Sequence, residues 1–396
     1  MRQPQKHHRP PSSPLRVGLD LTFLGQEAGG VGRYAIELAR TLASRDDVNI
    51  EVVATRDCPS EVFKAPWARR LRWWTLPVRH TRPRVALAAE FALIPFLAAA
   101  RRWDVVHGPA NAVPFMLPGT ASVITMHDTI WLDAPEEWGT PQAVRAMHRI
   151  AVPAARRATR VLTVSHDAAR ALERGLGLPP DRIDVAPHGV QPPDRAASEA
   201  GGANVRRRFG LGAGPVILCV AQLRPYKNQE ALVRALARMS DSSTQLVLVG
   251  APTEYGESLH MLARELRLTD RIVFTGWQED AVLADLFREA QVFALTTQRE
   301  GFGLPVLEAM AHGVPVVCSD LDVLREVGGD AAIFVDVEDA ATLSDALDRV
   351  LRDTELREDL VSRGRLRAAA ASWAATAEAT VASYRRAVGR PVSSRA

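Results

Sequence analysis

The segment Glu300–Gly313, EGFGLPVLEAMAHG, sets two carboxylates, Glu300 and Glu308, on either side of a helix start. Gly301 and Gly303 let the backbone approach a ligand closely, and the free amides and dipole of the following helix favour an anion. Pro305 suits the first helical position, and Gly313 suits the residue just past the helix end. Val306, Leu307 and Met310 form the buried stripe, which turns Glu308 away from the core and towards the strand ends. A carboxylate near a bound phosphate is repelled unless it accepts hydrogen bonds from hydroxyls, and sugars supply those. On residue types alone this reading stands level with a plainer one, a helix cap followed by an exposed helical glutamate.

Three other places carry chemistry-bearing residues at the ends of apolar runs. Lys227 lies in AQLRPYKN after PVILCVA, and it is one of three lysines in a chain whose other basic residues are all arginine. Arg224 precedes it, and a solvated loop charge is the bland alternative for both. Gly29, Gly30 and Gly32, in AGGVGRYAIELA, follow the run VGLDL and open a helix. His127 and Asp128 end ASVITM, the position where parallel strands present functional groups. His107, His166 and His188 also sit at strand ends, but no spacing joins them into a metal site. Cys58, Cys219 and Cys318 are far apart and lack ligand spacing too, so neither a metal nor a disulfide framework is expected.

The elements that must hold these groups alternate. Apolar runs at 17–21, 49–54, 103–107, 121–126, 160–165 and 182–187 are separated mostly by helical patterns, beginning with Val31–Leu42. A second series runs through 215–221, 244–250, 271–276, 291–296, 314–319 and 331–336, with helical patterns at 229–239, 258–266 and 282–290. Such alternation predicts α/β domains with parallel sheets covered on both faces. With 396 residues, 47% of them hydrophobic and 24% charged, the chain suits two domains with real cores. The stretch 191–203 reads as a junction. Residues 1–14 read as a disordered tail, 15–205 as a first Rossmann-like domain, 206–370 as a second, and 371–390 as a last helix packing back on the first. Two such halves place a ligand in the cleft between them, at the strand ends.

The first 200 residues hold 26 basic against 20 acidic side chains, and the rest 23 against 26. Six arginines fall between Arg69 and Arg84, beside Trp73 and Trp74. That stretch fits either a membrane-surface contact or a solvated basic face. Val85–Ala100 is too short to span a bilayer and is broken by Glu90 and Pro95. The expected compartment is a reducing cytoplasm, peripheral to the inner membrane face if the basic region docks there.

GFGLPVLEAM with Glu300 and Glu308 resembles the donor-site signature of family 4 retaining glycosyltransferases of the GT-B fold. The resemblance extends from about Leu15 to Ala387 and includes HDTIWLDAPE (127–136), RIDVAPHGV (182–190), RPYKN (224–228) and RIVFTGW (271–277). It implies two Rossmann-like domains facing each other across a cleft, the first holding the acceptor and the second the nucleotide sugar. By that resemblance Glu308 holds ribose hydroxyls, and Glu300 lies near the donor sugar and its reacting carbon. Backbone around Phe302, Gly303 and Leu304 meets the sugar and diphosphate. The loop of Gly30 and Gly32 faces the phosphates, His127 touches the donor sugar, and Asp128 lies close by. A leaving nucleoside diphosphate gains charge, so the fixed cation Lys227, helped by Arg224, stabilises the transition state more than the ground state.

The chain departs from the common pattern at Gln222 and Tyr226, where relatives carry the phosphate-binding arginine, and at Gln191, where they carry aspartate. The expected reaction moves a hexose, mannose as first choice, to an acceptor hydroxyl with retention and without a metal or other cofactor. The acceptor is a carbohydrate, a lipid-linked sugar or a small molecule; nucleic acid is not an expected partner. The competing readings are a non-catalytic nucleotide-sugar-binding subunit, a sugar-nucleotide epimerase and a dinucleotide oxidoreductase. The last lacks the G-x-G-x-x-G turn with its following acidic residue.

Overall fold

The computed structural model describes residues 13–25, 29–193 and 201–391. The expected tail therefore lies almost wholly outside the described residues, as does the middle of the expected junction. The first half forms a seven-stranded sheet of β1 (Leu15–Asp20), β2 (Val48–Thr55), β3 (Arg72–Leu76), β4 (Val105–Gly108), β5 (Ala121–Thr125), β6 (Arg160–Thr163) and β7 (Ile183–Val185). Its order is β3-β2-β1-β4-β5-β6-β7, parallel throughout. The second half repeats the plan with β8 (Val216–Val220), β9 (Gln245–Val249), β10 (Ile272–Gly276), β11 (Val292–Leu295), β12 (Val316–Ser319) and β13 (Ala332–Val335). Its order is β10-β9-β8-β11-β12-β13, again parallel.

Each central strand is an almost uninterrupted buried apolar run, because helices cover both faces. The strand order reverses between β1 and β4 and again between β8 and β11. At such points the flanking helices diverge, and a crevice opens beyond the strand carboxyl ends. His127 follows β5, Lys227 follows β8 and Glu300 follows β11, so all three stand at this end of their sheets.

β3 was not among the expected strands. Its sequence, RWWTL, comes from the arginine-rich stretch, and as an edge strand it is only partly buried, with Trp73 and Trp74 packed on different cores. The two tryptophans there do not face solvent as a binding surface. Trp73 Nε1 donates to the Ala68 carbonyl at 3.0 Å, and Trp74 Nε1 donates to Glu51 at 2.7 Å.

The last helix, Trp373–Ala387, crosses back to the first domain. Trp373, Ala377, Val381 and Tyr384 are buried there with Leu15, Val17, Tyr34 and Val105. Thr376 Oγ1 also donates to the Pro187 carbonyl at 2.6 Å. Tyr384 reaches His107 Nδ1 at 2.7 Å, and the other ring nitrogen of His107 pairs with Thr125 at 2.8 Å. Burial pushes the His107 imidazole down to about 3, so it is a neutral structural histidine.

Candidate active site

Lys227 ends a short helical turn, Pro225–Lys227, and Asn228 follows in the left-handed conformation with φ 49°. The β11 end clamps this loop. Gln298 N donates to the Tyr226 carbonyl at 2.7 Å, Thr297 Oγ1 donates to the same carbonyl at 3.2 Å, and Thr296 Oγ1 donates to the Asn228 carbonyl at 2.8 Å. These bonds bring Lys227 Nζ to 2.5 Å from Glu300 Oε2, with both side chains mostly buried. Burial pulls the ammonium pKa down, but Glu300, Tyr226 and Asp128 outweigh it and hold the group above its ordinary value. Lys227 is a fixed cation.

The first domain completes the cluster. Asp128 accepts from the Ile130 amide at 3.0 Å. Burial pushes its carboxyl up to about 6, with Glu300 adding to the rise and the Ile130 amide and Lys227 opposing it. His127 Nε2 donates to the Pro109 carbonyl at 2.8 Å. This bond fixes the tautomer and leaves Nδ1 as an acceptor. Burial lowers the imidazole to about 4 against the opposing Pro109 bond. The ring stands edge-on to Tyr34, with centroids 4.8 Å apart.

Gly301 shows how tightly the domains meet. A Cβ at this position would lie 2.2 Å from the His127 carbonyl oxygen, a contact no side chain tolerates. Ser165 Oγ donates to the Gly301 carbonyl at 2.9 Å. Glu326 accepts from the amides of His166 and Asp167 at the start of the helix His166–Leu176. The cleft is closed.

Gly303 takes φ 92° as the cap of the helix Leu304–Ala311, whose second residue is Pro305. Gly313, with φ 72°, follows the C-cap His312. The Phe302 ring is buried against His188 at 4.8 Å rather than lining open space, so Phe302 has only its backbone to offer a ligand, whereas Leu304 lines the small cavity beside Arg33 and Glu308. Gly30 lies exposed in the first turn of the helix Gly29–Leu42, and Gly32 is buried within it. Arg224 Nη1 reaches the Trp138 carbonyl at 3.5 Å, across the domain boundary.

Glu308 is not an exposed helical glutamate. It is 6% exposed, and the first domain supplies its partner, Arg33, whose Nη1 lies 2.8 Å from Oε1. Asp280 shares the same guanidinium at 3.7 Å. Burial raises the Glu308 carboxyl, Arg33 opposes the rise and Asp280 adds to it. Around this pair about 40 Å³ of cavity remains, where pockets for small ligands run to roughly 300–1,000 Å³.

Arg33 escaped the sequence reading. It is the fifth residue of the helix Gly29–Leu42, past the first turn where the dipole would single out a cation, so no local signal pointed to an anionic partner. A larger depression, about 710 Å³, is lined by Arg357, Val361 and Arg365. It opens at Gln291 and Pro315, the amino ends of β11 and β12, opposite the strand ends that carry the cluster.

The family profile described as Glycosyl transferases group 1 matches residues 204–367, and that of Glycosyltransferase Family 4 matches residues 28–192. The chain is 31% identical to a D-inositol 3-phosphate glycosyltransferase of Acidothermus cellulolyticus, over 91% of this chain and 86% of that protein. It is 29% identical to the O-antigen chain mannosyltransferase B of Escherichia coli, over 90% and 96%. Among solved structures, a sucrose-phosphate synthase from Thermosynechococcus elongatus superimposes with a TM-score of 0.77 at 22% identity, covering 95% of this chain and all of that one. Anabaena HepE, solved with UDP and glucose, gives 0.74 at 19%, covering 93% and 98%. These folds are the GT-B fold.

Proposed function

Because the chain belongs to the group 1 glycosyltransferases of family 4, which transfer sugar from a nucleotide sugar, we propose that it moves a hexose to an acceptor hydroxyl with retained anomeric configuration. The carrying observation is the Lys227–Glu300 pair, brought at 2.5 Å to the same place as Asp128 and His127 from the other domain. Lys227 neutralises the diphosphate as the glycosidic bond lengthens, and the amides at the start of the helix Leu304–Ala311 take the remaining charge. Arg224 assists from the rim. These groups do the work of a divalent metal.

Glu308 receives the ribose hydroxyls once Arg33 releases it. Glu300, held by Lys227, lies beside the anomeric carbon as an electrostatic partner of the developing positive charge. The departing phosphate oxygen takes the acceptor proton on the same face from which the new bond forms, which gives retention. The likeness to the O-antigen mannosyltransferase supports mannose from GDP-mannose. The three buried free thiols Cys58, Cys219 and Cys318 support a reducing compartment.

A thermal-shift and hydrolysis screen against UDP-, GDP-, dTDP- and ADP-sugars, with and without EDTA, tests this reading. A GDP-sugar shift that survives EDTA, with slow diphosphate release, is expected. A shift with another nucleotide class would replace the donor, and loss of the shift in EDTA would replace the metal-free mechanism. No shift with any donor would overturn catalysis in favour of a partner subunit.

His127 acts as a neutral hydrogen-bond acceptor for a donor-sugar hydroxyl, through Nδ1. Its imidazole does not change charge between about pH 5.5 and 8. The variant His127→Gln will therefore have lower kcat with a pH–rate profile of unchanged shape over that range. A lost acid limb in that profile would show His127 titrating during turnover.

A further inference from the structure

The helix Pro83–Arg101 has two different faces. Its inner face is held by Ile94 and Ala98 in the core and by Glu90, whose Oε2 accepts from Thr22 at 3.3 Å. Glu90 is the helix's sole acidic residue, and it is buried. The outer face carries Val85, Ala88, Ala92, Leu93, Phe96 and Ala99, all exposed, with Phe96 at 70%. Exposed arginines flank it, Arg82 and Arg84 at one end and Arg102 at the other. The neighbouring loop packs Phe115 edge-on against Phe91 of this helix at 4.6 Å, and the next residue, Met116, is 75% exposed. An apolar stripe of this length, rimmed by cations and free of exposed carboxylates, differs from the scattered apolar residues of ordinary surfaces.

We propose that this face docks the first domain onto an anionic lipid bilayer, Phe96, Leu93, Val85 and Met116 entering the interface while Arg82 and Arg84 meet lipid phosphates. Charge complementarity selects this occupant. A helix with an apolar face and cationic flanks lies in the interface plane and gains affinity from anionic lipid. No described helix is long and apolar enough to cross a membrane, so the contact is peripheral. The arginine-rich stretch 69–84 enters this contact through Arg82 and Arg84, while its tryptophans are spent on internal bonds and the apolar surface comes from the helix that follows.

The helix start and the Phe115–Met116 loop follow the carboxyl ends of β3 and β4, the same sheet end that carries His127 after β5. A docked domain therefore holds its half of the cleft near the lipid surface. The further step, that the acceptor is lipid-borne, rests on the glycosyl-transfer reading, whereas the docking itself does not.

Flotation of the full chain with vesicles tests it. Phosphatidylglycerol–phosphatidylethanolamine vesicles should carry the protein, and phosphatidylcholine vesicles should carry at least roughly tenfold less. Leu93→Glu/Phe96→Glu, and separately Arg82→Glu/Arg84→Glu, should each lower anionic-vesicle binding by about tenfold or more. Both variants should keep the wild-type melting temperature and nucleotide-sugar thermal shift, so a failed donor screen and a failed docking test remain distinct. No binding to anionic vesicles, or binding that survives both variants, would overturn the proposal. A wild-type dimer dispersed by Leu93→Glu/Phe96→Glu in sedimentation velocity, without vesicle binding, would overturn it in favour of self-association.

Discussion

Replacing Lys227 by alanine will lower turnover about 10²–10³-fold, as expected for losing one preorganised charge donor at a reacting centre. Two effects combine. On the proposed mechanism the ammonium that meets the departing diphosphate is gone, and Glu300 loses its 2.5 Å partner beside Asp128. The donor then approaches two uncompensated carboxylates, so KM rises as well as kcat falling. Adding Glu300→Gln to Lys227→Ala removes part of that repulsion and should recover donor affinity without recovering turnover. Steady-state kinetics and nucleotide-sugar thermal shifts on the single and double variants separate the two effects. Wild-type turnover from Lys227→Ala would remove the lysine from the mechanism.

Gly301→Ala is expected to cost about as much for a different reason. The added methyl would sit 2.2 Å from the His127 carbonyl oxygen, which is backbone and cannot swing aside. The Ser165 hydroxyl, 2.9 Å from the Gly301 carbonyl, loses its partner if the domains move apart to relieve the clash. Each sheet keeps its own core, so the chain folds, but the halves of the site no longer close on each other. A misplacement of about 1 Å at a reacting centre costs on the order of 10²-fold in rate. The variant should therefore show kcat reduced by about that factor, with far-ultraviolet circular dichroism unchanged. An active Gly301→Ala enzyme would mean that the closed arrangement is not the one in which sugar is transferred.

Much of this architecture was legible because parallel strands covered on both faces leave an unmistakable trace. Runs such as VILCV and QLVLV have no polar interruption, and helical patterns separate them. β3 left no such trace, since a partly buried edge strand can be written RWWTL. The helix Pro83–Arg101 shows the converse: a nearly continuous apolar sequence does not say which side is packed, and the fold shows that one side has no neighbour.

At the site, Gly301 and Gly303 read as places for a ligand to approach, whereas the structure sets Gly301 against the His127 carbonyl and Gly303 at φ 92°; Lys227 stood out by its rarity. The burial of Glu308 was not legible. Helical periodicity places a residue relative to its own domain, and the side chain that covers Glu308 comes from the other domain, 275 positions earlier in sequence. The same limit hid Arg33, which sits one turn into its own helix with no local sign of its partner.

The contact between Arg33 and Glu308 sets a condition on anything that binds at Glu308. Any nucleotide that presents its ribose to Glu308 must first evict a guanidinium, so the affinity it shows is its intrinsic affinity scaled down by the fraction of molecules already open. A ligand that cannot offer hydroxyls in exchange leaves a buried carboxylate stranded, and discrimination against it comes from the evicted pair as much as from any new contact. On the proposed reading, the first thing a donor meets at Glu308 is a side chain of the protein's other domain.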